Sequence, residues 1–172
     1  GPLIDLGSHY FDLACWFINF PKIDRVNSKT FSNLVNSSKV VKKNLPFKKF
    51  DNEEFAVGTI HFRNKVTINF ELSYLLNLKK NETRIEIYGD KGRLVWPSGE
   101  LLIEQRNGKL KKKIIRAKNN AKASTLEVDY FVHLLKNNKK QFTQLKENHF
   151  IIKLIESLYK SSAKEREIAF EK

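Results

Sequence analysis

The sequence predicts an α+β fold: an open, mostly antiparallel β-sheet with helices packed on one face. Three observations predict it. Apolar residues recur every three or four positions over the first eighteen residues. From Phe55 the period changes to two, in short runs separated by turn residues. After Ala123 it becomes helical again.

The first helix is predicted over Ile4–Ile18, with Asp5 in its first turn, where a carboxylate suits the positive end of the helix dipole. Leu6, Tyr10, Leu13, Ala14 and Phe17 form its expected buried stripe. Asp5, His9, Asp12 and Trp16 form a second, more polar stripe, with Trp16 expected in the core or, as the alternative, forming the wall of a cleft. Gly7 inside a helix costs about 1 kcal/mol relative to Ala, which implies a close neighbour at that point. Pro21 ends the element, and a strand follows over Arg25–Phe31. Residues 33–52, rich in Lys, Asn and Ser, read as a long exposed loop.

Phe55–Phe62 and Val66–Ser73 are predicted strands joined by the tight turn Arg63-Asn64-Lys65. In the second, Val66, Ile68, Phe70 and Leu72 share one face and Thr67, Asn69, Glu71 and Ser73 the other. Four more strands are predicted at Arg84–Tyr88, Arg93–Trp96, Leu101–Gln105 and Lys111–Ile115. Gly89-Asp90-Lys91-Gly92, Pro97-Ser98-Gly99 and Asn107-Gly108 supply the turns between them. Ser124 with Glu127 reads as a capping box opening a helix that runs to Asn137-Asn138. A last helix over Lys146–Ser162 and a short strand at Ile168-Ala169-Phe170 complete the chain.

With 172 residues, 41% hydrophobic, the chain fits a single globular domain with a sizeable core. No apolar run is long enough to span a bilayer as a helix, so no membrane partner is expected. Cys15 is the only cysteine, which excludes an internal disulfide and a cysteine-cluster zinc site, and it reads as a buried inert thiol. A reducing, cytoplasmic location is expected. The formal charge is +13, but lysines are scattered and only seven of the 32 cationic side chains are arginine. That distribution describes a solvated lysine-rich surface and argues against a nucleic-acid partner.

The stretch GPLIDLGSHYFDLACWF resembles the Gly-Gly-x-x-x-Asp-x-Gly-x-His-x-x-Asp-x-x-x-Trp signature of the glucose–fructose oxidoreductase, inositol dehydrogenase and MocA family. Glu54-Phe55-Ala56 through Phe62-Arg63-Asn64 is similar to that family's first hairpin, with Lys65 where a glycine is usual. Ile85–Leu94 is similar to its Ile-x-Gly-x-x-Gly-x-Leu turn, and Tyr159-Lys160-Ser161-Ser162-Ala163 to the close of its last helix. These matches follow one another in order along nearly the whole chain.

The resemblance implies a two-domain NAD- or NADP-dependent enzyme acting on sugars, cyclitols or nucleotide sugars. Residues 1–172 would form its C-terminal substrate-binding and oligomerisation domain, of dihydrodipicolinate-reductase-like fold. No Gly-x-Gly-x-x-Gly occurs in the sequence, and the family's catalytic lysine has no counterpart. The N-terminal Rossmann domain is therefore expected to be absent, the cofactor to bind mainly there, and this chain to be inactive alone. Homo-oligomers through the open sheet face are also implied.

Oxidising an alcohol by hydride transfer needs a base for the hydroxyl proton, and imidazoles titrate near neutrality. By the resemblance, His9 is assigned as acid/base, and Asp5, one turn earlier, as the group that orients substrate hydroxyls. Asp12 is assigned as a structural or surface acid. His61 is expected to be a sheet residue, and His133 and His149 to lie on helices. Nothing in their spacing calls for a metal site. The alternatives left open are a non-catalytic binding or assembly module on the same domain, and an anion-binding domain exploiting the charge.

Overall fold

A computed structural model describes residues 1–32, 51–74, 82–116, 123–139 and 145–171, with the side chains of 123 and 124 excluded. The elements run α1 (Pro2–Phe17), β1 (Ile23–Phe31), β2 (Phe55–Phe62), β3 (Thr67–Ser73), β4 (Ile85–Gly89), β5 (Gly92–Trp96), β6 (Glu100–Glu104), β7 (Leu110–Ile114), α2 (Ala123–Lys136), α3 (Leu145–Lys164) and β8 (Ile168–Ala169). The α+β expectation holds, with every strand pair among the described residues antiparallel. The strands divide between two four-stranded sheets, β3-β2-β1-β8 and β4-β5-β6-β7. The long loop expected at 33–52 lies mostly outside the described residues.

Two compact units result: Gly1–Asn77 with Thr143–Lys172, and Leu78–Phe142. In the first, α1 and α3 pack on one face of the sheet. The register places Val26, Ile60 and Ile68 side by side on that face, and Thr30, Ala56 and Leu72 in another row. Val26, Ile60 and Ala56 are fully buried there, beneath Leu3 and Phe11 of α1 and Leu154 and Leu158 of α3. The opposite face carries Asn27, Lys29, Thr59, Asn69 and Glu71, as the alternation in β3 predicts.

The first helix differs from its sequence reading in a consequential way. It starts at Pro2 with Gly1 as N-cap, and its buried stripe is Leu3, Gly7, Phe11 and Cys15. That stripe lies one step around the helix from the expected one, whose Leu6 and Tyr10 are only partly buried. More than half the circumference of α1 is apolar, so hydropathy alone could not select among adjacent stripes. The close neighbours of Gly7 are real: a Cβ there would lie 2.9 Å from the Phe11 ring and 3.4 Å from Leu72 Cδ1. Trp16, assigned to the core, is 50% exposed and lies against the Phe17 ring instead.

Helix α3 is fastened to β1 by buried hydroxyls as well as by its apolar face. Ser28 N–H donates to Ser161 Oγ at 3.1 Å, Ser28 Oγ donates to Leu158 O at 2.5 Å, and Ser161 Oγ donates to Arg166 O at 2.7 Å. Next to them, Thr30 N–H donates to Ser162 Oγ at 3.0 Å. The Ser161-Ser162 pair of the closing motif is therefore a polar seam across the helix–sheet interface.

In the second unit β4 to β7 form a meander whose turns fall where the sequence placed them. Gly108, in the Asn107-Gly108 turn, has φ +74°. Arg93 bridges Glu86 and Glu100 across the sheet, and Lys112 extends the ladder at 2.5 Å from Glu100. Helix α2 begins one residue before the expected cap. Among its described side chains only Leu134 is buried. Among the described residues no helix is long and apolar enough to cross a membrane.

Ser161→Ala removes the acceptor for the buried Ser28 N–H. The unfolding free energy from urea titration should fall by about 1–3 kcal/mol, with an unchanged denaturant slope. A loss within experimental error would show that the seam carries no stability.

Candidate functional site

The buried stripe of α1 faces the sheet, so the stripe carrying Asp5, His9 and Trp16 points away from it, and all three are exposed. Spaced four apart on one helix, the Asp5 and His9 side chains start from Cβ atoms about 6 Å apart. Both predicted site residues therefore share one accessible surface at the N-terminal half of α1.

The start of α1 is gathered by a side chain that sequence reasoning did not single out. Glu53 Oε1 accepts the Leu3 N–H at 3.2 Å and the Tyr159 hydroxyl at 2.7 Å. A carboxylate here satisfies one of the orphan N–H groups of the first turn and meets the positive end of the helix dipole. The backbone of Gly1 passes so close to Glu53 that any β-carbon would collide with it, which explains the glycine. Burial and the Glu53 carboxylate push the Tyr159 phenol well above its ordinary range, so it remains a donor.

Tyr74, just beyond β3, completes the arrangement. Its N–H donates to Glu54 O at 3.1 Å and its hydroxyl donates to Asp5 Oδ2 at 2.6 Å. Burial, then the hydrogen bond to Asp5, pushes the Tyr74 phenol up to about 12, so it is protonated at neutral pH and holds one oxygen of the Asp5 carboxylate. The other oxygen of Asp5 is available to a hydroxyl. No short motif joins residues 5, 53, 74 and 159. The sequence signals pointing toward this network were Asp5 in the opening signature and Tyr159 in the closing motif.

Asp12 lies one turn beyond His9 and is only partly exposed. Its Oδ1 is buried without a hydrogen-bond partner among the described residues. Burial, then the Glu147 carboxylate, raises its pKa above 3.8, and His9 pulls the other way. Behind it, burial and Asp12 push the Cys15 thiol up to about 12, which makes it the inert cysteine expected.

His61 is a sheet residue, its Nδ1 3.1 Å from Thr67 Oγ1, while His133 lies on α2 and His149 on α3. Among the described residues no three His, Cys, Asp or Glu side chains are arranged to hold a metal ion. Two concavities of about 340 Å³ each occur on the first unit, and both are lined by residues other than Asp5 and His9. The pair stands on an open surface of α1 rather than inside either groove.

The fold belongs to a known class. Residues 1–170 match the oxidoreductase family's C-terminal alpha/beta domain, that of the glucose–fructose oxidoreductase, inositol dehydrogenase and MocA group, and the chain is a member of that family. D-glucoside 3-dehydrogenase of Escherichia coli (strain K12) is 24% identical over 169 residues, which is 94% of this chain and 46% of the relative. Among solved structures, levoglucosan dehydrogenase in complex with NADH and levoglucosan shares the fold with a TM-score of 0.74 at 17% identity. That likeness covers 100% of this chain and 51% of that one. Aldose-aldose oxidoreductase from Caulobacter crescentus, complexed with glycerol, gives 0.72 at 15% identity, over 99% and 48%. The chain spans about half the length of these relatives.

Glu53→Ala strips the first turn of α1 of its cap and Tyr159 of its acceptor. It should cost about 1–2 kcal/mol in urea unfolding, a value near zero being the contrary result. Asp12 holds its proton more tightly in the folded chain than in the unfolded one. Its stabilising contribution is therefore present at acid pH, below 3.8, and is lost as pH rises through the raised value. Asp12→Asn should make the protein slightly more stable than wild type at pH 7, with the gap closing as pH falls toward 4. Melting curves across that range would show it, and a variant less stable at neutral pH would contradict it.

Proposed function

We propose that this chain is the substrate-binding and oligomerisation part of an NAD- or NADP-dependent oxidoreductase acting on a sugar, cyclitol or nucleotide sugar. The observation that carries the reading is the exposed Asp5–His9 surface of α1, with Asp5 oriented by the Tyr74 hydroxyl at 2.6 Å. Family membership over residues 1–170 supports it, as do the sugar-acting names of the relatives.

In this reading, the oxygen of Asp5 that does not hold Tyr74 accepts a substrate hydroxyl and fixes the ring's orientation. His9, one turn on, takes the proton of the reacting hydroxyl during oxidation and returns it during reduction. A nicotinamide cofactor, when bound, supplies the hydride acceptor. These 172 residues contain no glycine-rich pyrophosphate cradle, so the dinucleotide is held mainly by a part of the protein outside this chain. That part also closes the open side of the Asp5–His9 surface into a cleft, and the chain by itself does not turn over. A cytoplasmic location suits the single buried cysteine.

Assembly into homo-oligomers would use the sheet face opposite α1 and α3. There Phe31 and Phe55 stack at 5.5 Å with Phe31 43% exposed, beside Val57. Aromatic and β-branched side chains on such a face suit contact with a second copy. The same surface supports the alternative of a non-catalytic assembly module, and kinetics separates the two.

In the protein carrying both halves, His9→Ala should lower kcat by about 10²–10⁴-fold on its own substrate. Asp5→Asn should act mainly by raising KM. A His9→Ala enzyme with undiminished kcat removes the base assignment and leaves the assembly reading.

A further inference from the structure

A second concavity lies at the far end of α1 from Asp5. Residues following α1, the β2–β3 turn, the second and third turns of α3 and the residues after β8 border an open groove of about 340 Å³. Lys22, Arg63 and Lys153 line it, together with Ile23, Phe150, Phe170 and Glu171. From Asp5 to the end of α1 at Phe17 the helix rises about 18 Å at 1.5 Å per residue.

Arg63 is built into place. Its N–H donates to Lys22 O at 2.9 Å, and its Nη2 donates to Phe170 O at 3.4 Å and Glu171 O at 2.5 Å. A guanidinium carries five N–H donors, so this anchoring leaves others for a ligand. The walls are also fixed: Phe150 packs edge-on against Phe20 at 5.8 Å, and Phe170 N–H donates to Asp24 O at 2.8 Å. Arg25, Lys29, Arg93 and Lys112 each pair with a carboxylate. Among the described residues Lys22, Arg63 and Lys153 form no such pair, though Glu171 borders the same groove.

We propose that this groove is an anion-binding site for a small phosphate monoester with a flat or apolar body. Lys and Arg donors suit the dianionic phosphate, with Arg63 giving directional hydrogen bonds. The two phenylalanine residues offer apolar surface to the body of the ester. Three cations against one carboxylate leave the groove positive. A groove of this size fits a small molecule rather than a nucleic-acid strand. The ester bound here is distinct from whatever Asp5 orients, because the two sites occupy opposite ends of one helix.

Calorimetric titration of this chain with phenyl phosphate, inorganic phosphate and phenol tests the site. Phenyl phosphate should bind with one-to-one stoichiometry, inorganic phosphate at least about tenfold more weakly, a difference of about 1.4 kcal/mol, and phenol not at all. Arg63→Gln with Lys153→Gln should weaken phenyl phosphate about tenfold or more, whereas Lys111→Gln with Lys113→Gln in the other unit should not. If the double variant fails to fold, Lys153→Glu at an exposed position of α3 replaces it and should abolish binding alone. Absent heat with phenyl phosphate, equal binding of phenol, undiminished binding in the charge-altered variant, or equal loss in the Lys111/Lys113 variant would each overturn the proposal.

Discussion

One carboxylate decides where the first helix begins and which way it faces. Glu53 reaches the first turn of α1 from the segment leading into β2 and takes the hydroxyl of Tyr159 on α3 with the same oxygen. Three segments distant in sequence are thereby tied to one point, and the tie occupies an N–H group that the start of a helix otherwise leaves unsatisfied. With that end fixed and Leu3, Gly7, Phe11 and Cys15 seated in the core, Asp5 and His9 have only the outward surface left to them. Their accessibility follows from how the opposite side of the helix is held.

Polar ties of this kind recur where the first unit needs definition rather than bulk. Packed aliphatic side chains hold α3 against the sheet, yet they specify its position along β1 only loosely. Buried hydroxyls of Ser28 and Ser161 admit one position, because sliding would leave a buried N–H and a buried O–H without partners. The second unit is organised differently. Its ladder of Arg84, Glu86, Arg93, Glu100 and Lys112 lies on the surface of the sheet, its ends exposed and its middle partly covered, and surface pairs of this kind contribute about 0–1 kcal/mol each. There the turn residues and cross-strand pairing do most of the specifying.

The same contrast bears on chemistry. A phenol pressed against a carboxylate keeps its proton, so Tyr74 can only donate to Asp5 at neutral pH, and the acid presents its remaining oxygen in a settled orientation. Under the proposed function, an orientation fixed before a ligand arrives need not be established during binding. Asp12, one turn beyond His9, stands in a different setting. Its partly buried carboxyl near Glu147 is a strain on the fold that the Asp5 turn does not share.

By itself the sequence determined the local elements: the hairpins from their two-residue period, their turns from Gly and Asn, and the helices from their three-to-four spacing. It also carried the family signature, and with it Asp5 and His9. These features depend on neighbours a few positions apart, where hydrogen-bonding geometry and side-chain direction repeat regularly. Only the tertiary structure decided which stripe of α1 is buried, that Trp16 lies outside, and that the strands part into two sheets. It alone joined Glu53, Tyr74 and Tyr159 to the start of α1, because those contacts span separations of 50 to 106 residues. A polar side chain bears no mark of its distant partner until folding brings the two within reach of one hydrogen bond.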